Sequence, residues 1–352
     1  MQTTRTWADQ IFDQLADGFL NSENSKDEAL QVGSLDLQLT LSFASGADQV
    51  TRAFRPNLKP SESPGNVLSV YAMSTGELAE LTPTTEHKGM LMPAGSASEL
   101  DPESNRWRLE TYRGALFGLD TTRQIGLAAY HGPIDHSELT APMRQLFHWQ
   151  VARLGGLLVH GAVVGTPRSA VLIVGSGGAG KSTTVCASLA AGLVTCGDDY
   201  VWVNGETNSG EFTAFQIYTT LKTRPAAAKH LPTEYLSAVP YHDSADGLRR
   251  LRYPAEGRPE SLRESLPISA VVALTRGTSE GEGIREVSKR QALLVAAPST
   301  AIQGSHDRSV GLTRLKNLIS QLPCYEVSLV DTPEEQGALM WELIHRLEGG
   351  AE

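Results

Sequence analysis

The chain has 352 residues, 40% of them hydrophobic and 20% charged, and a formal net charge of −10, which suits a globular protein long enough for two domains of roughly 150 residues. No run stays apolar for the ~18 residues that a membrane span requires, and an acidic balance argues against a nucleic-acid partner, whose phosphates call for clustered Lys and Arg. The first ten residues, MQTTRTWADQ, contain no apolar stretch of an export signal, and Cys186, Cys196 and Cys324 are odd in number with no C-x-x-C pair, so a cytoplasmic chain with reduced, metal-free core thiols is expected.

Along the chain, Trp7, Ile11, Phe12, Leu15 and Phe19 recur at spacings of three and four, which predicts an amphipathic helix over Thr6–Leu20. From Leu35 to Phe43 leucines alternate with polar residues, the period of a strand with one buried face. Further strands are predicted at Gln49–Phe54, Val67–Met73, Arg106–Tyr112, Leu116–Asp120 and Gly126–Tyr130, separated by Pro-, Gly- and Ser-rich turns. Residues 1–134 thus read as a β-rich α+β domain without a chemical motif.

Asp135-His-Ser-Glu138 has the form of a capping box and opens a predicted helix to about Leu154, starting a second domain over 135–352. Leu157–Val164 and Ala170–Val174 are apolar runs around a Gly-Thr-Pro-Arg-Ser turn, the pattern of a hairpin. The next residues are the most informative of the chain. Gly175, Ser176, Gly177, Gly178, Ala179, Gly180, Lys181 and Ser182 fit G-x-x-x-x-G-K-[ST] at every fixed position, between the β-branched strand Val171–Val174 and a helix beginning near Thr183. In that context the loop amides, with Thr183, surround a polyphosphate, Lys181 reaches its β and γ phosphates, and the Ser182 hydroxyl ligates Mg²⁺.

One helix and one short strand later come Asp198 and Asp199. Adjacent acids on an extended segment point to opposite sides, so one can support Mg²⁺ while the other faces an acceptor hydroxyl. Gly-Asp-Asp is also ordinary turn chemistry. His160, in the otherwise apolar Leu157–Val164 run, is either a hydrogen-bonded core residue or a group lining the phosphate site. Beyond Asp199 the expected elements are a strand at Val201–Val203 turning at Asn204-Gly205 into Phe212–Tyr218, a short helical run from Pro225 and a buried strand at Ile268–Thr275. Helices are expected next at Ser288–Ala297 and Arg308–Leu322, then a strand at Tyr325–Leu329 and a helix capped by Thr332–Glu335 and stopped by Gly349-Gly350.

The order His160-Gly161-Ala162, Gly175–Ser182, Asp198-Asp199 resembles the catalytic core of bacterial HPr kinase/phosphorylase, and most of all the HPr-kinase-like proteins of biosynthetic gene clusters, over roughly residues 155–347. The resemblance implies an α/β fold similar to the nucleotide domain of phosphoenolpyruvate carboxykinase, a twisted mixed sheet flanked by helices. It implies transfer of a phosphoryl group from ATP, or GTP, to a serine hydroxyl of a peptide, protein or small metabolite, and assembly into a homo-oligomer. By that resemblance Ser182 and Asp199 would support Mg²⁺, Asp198 would accept the serine proton and His160 would line the phosphate site. The family's basic segment after the paired acids has no counterpart here. Its place holds Lys222 and Arg224, either phosphoryl clamps or strand-end charges. Arg249, Arg250 and Arg252 are acceptor or phosphate contacts, or solvated surface charges. The first domain does not resemble the family's own, and a nucleotide-driven switch that hydrolyses without transfer is the other reading of the same loop.

Overall fold

The structure, a computed structural model, describes residues 25–32, 35–42, 47–54, 67–75, 98–99, 107–112, 115–131, 134, 136–205, 211–276, 283–300 and 308–349. The helix expected at 6–20 and Asp135 of the expected capping box lie outside the described residues. The chain forms two compact units, Met1–Thr51 with Asn57–Trp149, and Arg52–Pro56 with Gln150–Glu352. The second unit thus starts later than residue 135 and draws a short segment from within the sequence span of the first.

In the first unit, β1 (Ser25–Val32), β2 (Leu35–Ser42), α1 (Ala47–Arg52), β3 (Val67–Thr75), β4 (Ser98–Glu99), β5 (Trp107–Tyr112), β6 (Ala115–Asp120) and β7 (Ile125–His131) precede α2 (His136–Thr140) and α3 (Arg144–Arg153), the latter running into the second unit. The strands make one sheet in the order β1-β2-β3-β7-β6-β5-β4, parallel at β2/β3 and β3/β7 and antiparallel elsewhere. Two expectations fail here. Residues 49–54 are not a strand: Val50, Ala53 and Phe54 are buried at spacings of three and one, a helical face that a short apolar run does not distinguish from a strand. The helix from His136 is broken at Ala141-Pro142-Met143, because proline lacks the amide donor and Met143 takes φ +55°. Glu138 accepts hydrogen bonds from the Met143 amide (2.9 Å) and the Tyr130 hydroxyl (3.1 Å) at that break.

The second unit continues with β8 (Leu157–Val159), β9 (Ala162–Gly165), β10 (Ala170–Val174), α4 (Lys181–Ala190), β11 (Val194–Gly197), β12 (Val201–Gly205), β13 (Phe212–Phe215) and β14 (Leu221–Thr223). After a 3-10 turn at Pro225–His230 come α5 (Thr233–Ser237), β15 (Tyr241–Asp243), β16 (Arg250–Arg252), α6 (Pro254–Gly257), β17 (Ser265–Arg276), β18 (Ile284–Glu286), α7 (Lys289–Thr300), α8 (Arg308–Gln321), β19 (Cys324–Leu329) and α9 (Pro333–Gly349). The main sheet is mixed, in the order β11-β9-β10-β17-β13-β12-β8 with β19 pairing β17 and β18. Its centre, β10, β17 and β19, is parallel, and β10 with the middle of β17 is nearly continuous in Val, Ile, Leu and Ala, as strands covered on both faces must be. Val185, Leu189, Met340, Leu343 and Ile344 of α4 and α9 cover one face. Ala292, Ala296, Leu315, Leu318 and Ile319 of α7 and α8 cover the other. The fold is α/β, a mixed sheet between helices. The three cysteines are free and buried, and burial raises each thiol pKa. The final helix begins as expected, with the Glu335 amide on the Thr332 hydroxyl (3.2 Å) and the Thr332 amide on the Glu335 carboxylate (3.3 Å).

One departure from the expected hairpin positions the site. The Leu157–Val164 run is cut at His160-Gly161: β9 pairs β10, but β8 pairs β12 at the far end of the sheet order. Likewise β11 pairs β9 whereas β12 pairs β8. Residues 157–165 and 194–203 therefore run antiparallel as two bent strands, with Val201 opposite Val159 and Gly197 opposite Val163. Irregular bends of this kind turn a sheet corner and re-aim side chains. Glycine is required at the bend: a Cβ on Gly161 would stand 2.7 Å from the Ile173 carbonyl oxygen, and Gly197 takes φ +152° with Val201 2.6 Å from its Cβ position.

Candidate functional site

His160 and Asp199 lie in the two short connections at the bend, outside the strand pairing, and the bend turns them toward each other. The His160 ring places Nε2 3.2 Å from Asp199 Oδ1, and its face stacks on Tyr200 with ring centroids 4.9 Å apart and planes 17° from parallel. Lys222, at the centre of β14, donates from Nζ to Asp199 Oδ2 (3.0 Å) and from its backbone amide to Asp198 Oδ2 (3.2 Å). The Ser182 hydroxyl lies near enough to the Asp198 carboxylate to draw its pKa down. The two acids thus diverge as adjacent residues on an extended segment should: Asp198 toward the loop serine, Asp199 toward His160 and Lys222.

The glycine-rich loop joins the end of β10 to the start of α4. Gly178 and Gly180 take φ +82° and +108°, left-handed backbone that costs an L side chain roughly 1–2 kcal/mol. Gly180 is also crowded, since a Cβ there would lie 3.0 Å from the Leu329 side chain at the end of β19. Its carbonyl accepts the Thr184 amide (2.9 Å), which starts the helix and leaves the first-turn amides, those of Lys181, Ser182 and Thr183, directed out of its N-terminus. Lys181 Nζ donates back to the Gly175 carbonyl (2.9 Å). Burial lowers the Lys181 pKa, against the charges of Asp199 and Asp198 that raise it. All four charged groups, Lys181, Lys222, Asp198 and Asp199, therefore share one field.

Electrostatics separates the two carboxylates. Asp198 is 2% exposed; burial first, and then the charge of Asp199, push its pKa up to about 6, against hydrogen bonds from Ser182 and the Lys222 amide. Burial acts in the same direction on Asp199, but the Lys222 ammonium and the His160 hydrogen bond outweigh it and hold that carboxyl well below the usual range. Asp198 is a buried carboxylate that lies beside the neutral Ser182 hydroxyl and accepts from a backbone amide, so a cation beside Ser182 would relieve its burial, which is the donor chemistry Mg²⁺ takes. Among the described residues no three His, Cys, Asp or Glu side chains cluster as a metal cage. Mg²⁺ needs only one or two carboxylates, with phosphate oxygens and water completing its shell.

The remaining candidates lie elsewhere. Arg250 is ion-paired with Asp243 through Nε (2.7 Å) and Nη2 (3.1 Å) and lies 3.9 Å over the exposed Tyr241 ring. Arg252 is buried and donates to the Thr223 hydroxyl and to the Leu236 and Val239 carbonyls, which makes it a brace for the end of α5 rather than a solvated charge. Arg224 is exposed, one residue beyond β14, and Arg249 is exposed with its amide on the Ser244 hydroxyl. Tyr200, the stacking partner of His160, comes directly after the paired acids and could have been singled out on that ground. No helix among the described residues is long and apolar enough to cross a membrane.

No family model and no curated protein matches the chain. Among solved structures it is similar to the HPr(Ser) kinase/phosphatase from Coxiella burnetii, at 14% identity over 55% of this chain and 98% of the other, with a TM-score of 0.30.

Proposed function

We propose that the chain is a nucleotide- and Mg²⁺-dependent kinase that transfers the γ-phosphoryl group of ATP, or GTP, to a hydroxyl, most simply a serine, of a peptide, protein or small metabolite. One observation carries the reading: Lys181 and Ser182 of the loop meet Asp198, Asp199, His160 and Lys222 in a single cluster. The roles of the two acids are exchanged relative to those the sequence resemblance implies. Ser182 and Asp198 would hold Mg²⁺, which when bound would neutralise phosphate charge. Lys181 leaves the Gly175 carbonyl for the phosphate oxygens. Lys222, now shared with the transferring phosphoryl group, no longer holds Asp199 so strongly ionised, and Asp199, oriented by His160, accepts the acceptor hydroxyl proton. The hydroxyl oxygen bonds to the γ-phosphorus as the bond to the β–γ bridging oxygen breaks, and the nucleoside diphosphate leaves.

The test is transfer of label from γ-labelled ATP to a lysate or peptide library. Stable label on an acceptor supports the kinase reading, and release of free phosphate alone refutes it in favour of a switch. Asp199→Asn should abolish transfer while leaving Mg²⁺-nucleotide affinity within about twofold. Asp198→Asn should instead remove the Mg²⁺ dependence of nucleotide binding. The opposite pattern would return the two acids to the roles the resemblance implies.

A further inference from the structure

Lys222 is held by the site through both its amide and its ammonium, but the strand that carries it is three residues long and belongs to a small three-stranded sheet, β14-β16-β15, outside the main one. The last registered pair of β14 and β16 is Leu221 with Arg252. The residues flanking that pair, Tyr218-Thr219 before β14 and Tyr253–Glu256 after β16, are gripped by one segment remote in sequence. Arg52 donates from Nε and Nη2 to the two carboxylate oxygens of Glu256 (2.6 and 2.7 Å) and lies 3.6 Å over the Tyr253 ring. The next residue, Ala53, accepts at its carbonyl from the Thr219 amide (2.8 Å) and hydroxyl (3.3 Å). Phe54 packs on Tyr218 with ring centroids 5.6 Å apart. Arg52, Ala53 and Phe54 thus fasten both sides of the strand pair at the end where β14 begins, with the held Thr219 three residues before Lys222.

From this geometry we propose that Arg52–Phe54 is a strap that positions Lys222, with Arg52 a positioning residue that acts on the reaction through β14. A bidentate guanidinium–carboxylate pair fixes both distance and plane, and the ring beneath the guanidinium removes the remaining freedom to swing. Releasing it loosens the entry to β14. The Lys222 ammonium then loses its fixed place between Asp199 and a transferring phosphoryl group, and misplacement of this kind costs rate rather than ground-state binding. The catalytic half of this proposal rests on the kinase reading above; the structural half does not.

The experiment uses the full chain carrying Arg52→Ala or Arg52→Lys. By hydrogen–deuterium exchange, Arg52→Ala should raise exchange at the Thr219 and Lys222 amides by about tenfold or more and leave residues 181–190 unchanged. Unaltered protection at 218–223, or a uniform rise across the second unit, overturns the strap. With Mg²⁺ and γ-labelled ATP as the probe, phosphate release or transfer should fall about 10- to 100-fold at a KM for nucleotide unchanged within about twofold, with partial rescue by Arg52→Lys. In a Lys222→Ala background Arg52→Ala should cause no further loss; losses that multiply show that Arg52 does not act through Lys222. A wild-type chain that labels no acceptor in the lysate or peptide library refutes the kinase reading, and the exchange measurement still decides the strap. Should Arg52→Ala fail to fold, Glu256→Gln removes the other half of the pair and carries the same outcomes.

Discussion

Replacing Asp198 with Asn should stabilise the metal-free protein, by an amount that depends on pH in a defined way. The folded carboxyl titrates at about 6 against an ordinary 3.8. Below pH ~4 both folded and unfolded chains hold it neutral, so its burial then costs nothing extra. As pH rises through about 6 the folded protein must carry a buried charge that the unfolded chain keeps in water, and at ~1.4 kcal/mol per pH unit the loss approaches ~3 kcal/mol above pH 7. Asn escapes that loss. It cannot accept as fully from both Ser182 and the Lys222 amide, which returns ~1 kcal/mol. The net expectation at pH 8 is a gain of ~2 kcal/mol, or ~5 °C in melting temperature for a unit of this size, shrinking to nothing or reversing at pH 4. Urea or thermal unfolding in EDTA at pH 4, 5, 6, 7 and 8 measures it. A difference between variant and parent that is flat across that range, or a destabilised variant at pH 8, would refute the reasoning. Mg²⁺ should narrow the gap by favouring the ionised form of Asp198.

On the proposed kinase reading, Lys181→Met should weaken Mg²⁺-nucleotide binding about 100-fold in equilibrium dialysis, since the buried charge that would move from the Gly175 carbonyl to the phosphate oxygens is lost. Gly180→Ala combines φ +108° with a Cβ 3.0 Å from Leu329, so denaturant unfolding should show a loss of ~2 kcal/mol, part of which Leu329→Ala recovers. The buried brace and the surface pair should separate cleanly: Arg252→Met leaves the Leu236 and Val239 carbonyls short of a donor and costs ~2–3 kcal/mol of stability, while Arg250→Ala costs less than ~1 kcal/mol. Thr332→Ala removes one arm of a reciprocal cap and should cost ~1 kcal/mol.

The strand, loop and helix around Gly175–Ser182 are legible in the sequence because each carries a local rule: a β-branched run, glycines where the backbone turns left-handed, and helix formers after Lys181. The proximity of the paired acids to that loop is legible from spacing alone. Which acid faces Ser182 is not, because the answer depends on a bend in two strands whose pairing is non-local. The same bend splits an apolar run that reads as one continuous strand, with His160 at the break. The strand expected at residues 49–54 fails for a different reason. Val50, Ala53 and Phe54 fall at i, i+3 and i+4, a helical spacing too short to stand out from a strand in the sequence, and the segment makes tertiary contacts with Tyr218 and Thr219. Arg250 and Arg252 show the limit of charge clustering as a signal, since two arginines in one three-residue strand have opposite fates, one paired at the surface and one spent beneath it on carbonyl oxygens.

The two bent strands have a consequence for how this chain can change over time. His160 and Asp199 face each other between two registered pairs, Val159 with Val201 and Val163 with Gly197, and the connections between those pairs are matched in length, residues 160–162 against 198–200. An insertion or deletion in one connection alone would slip the facing strand by a residue and turn its buried side chains outward, so descendants of this sequence should vary these connections in concert or leave both untouched.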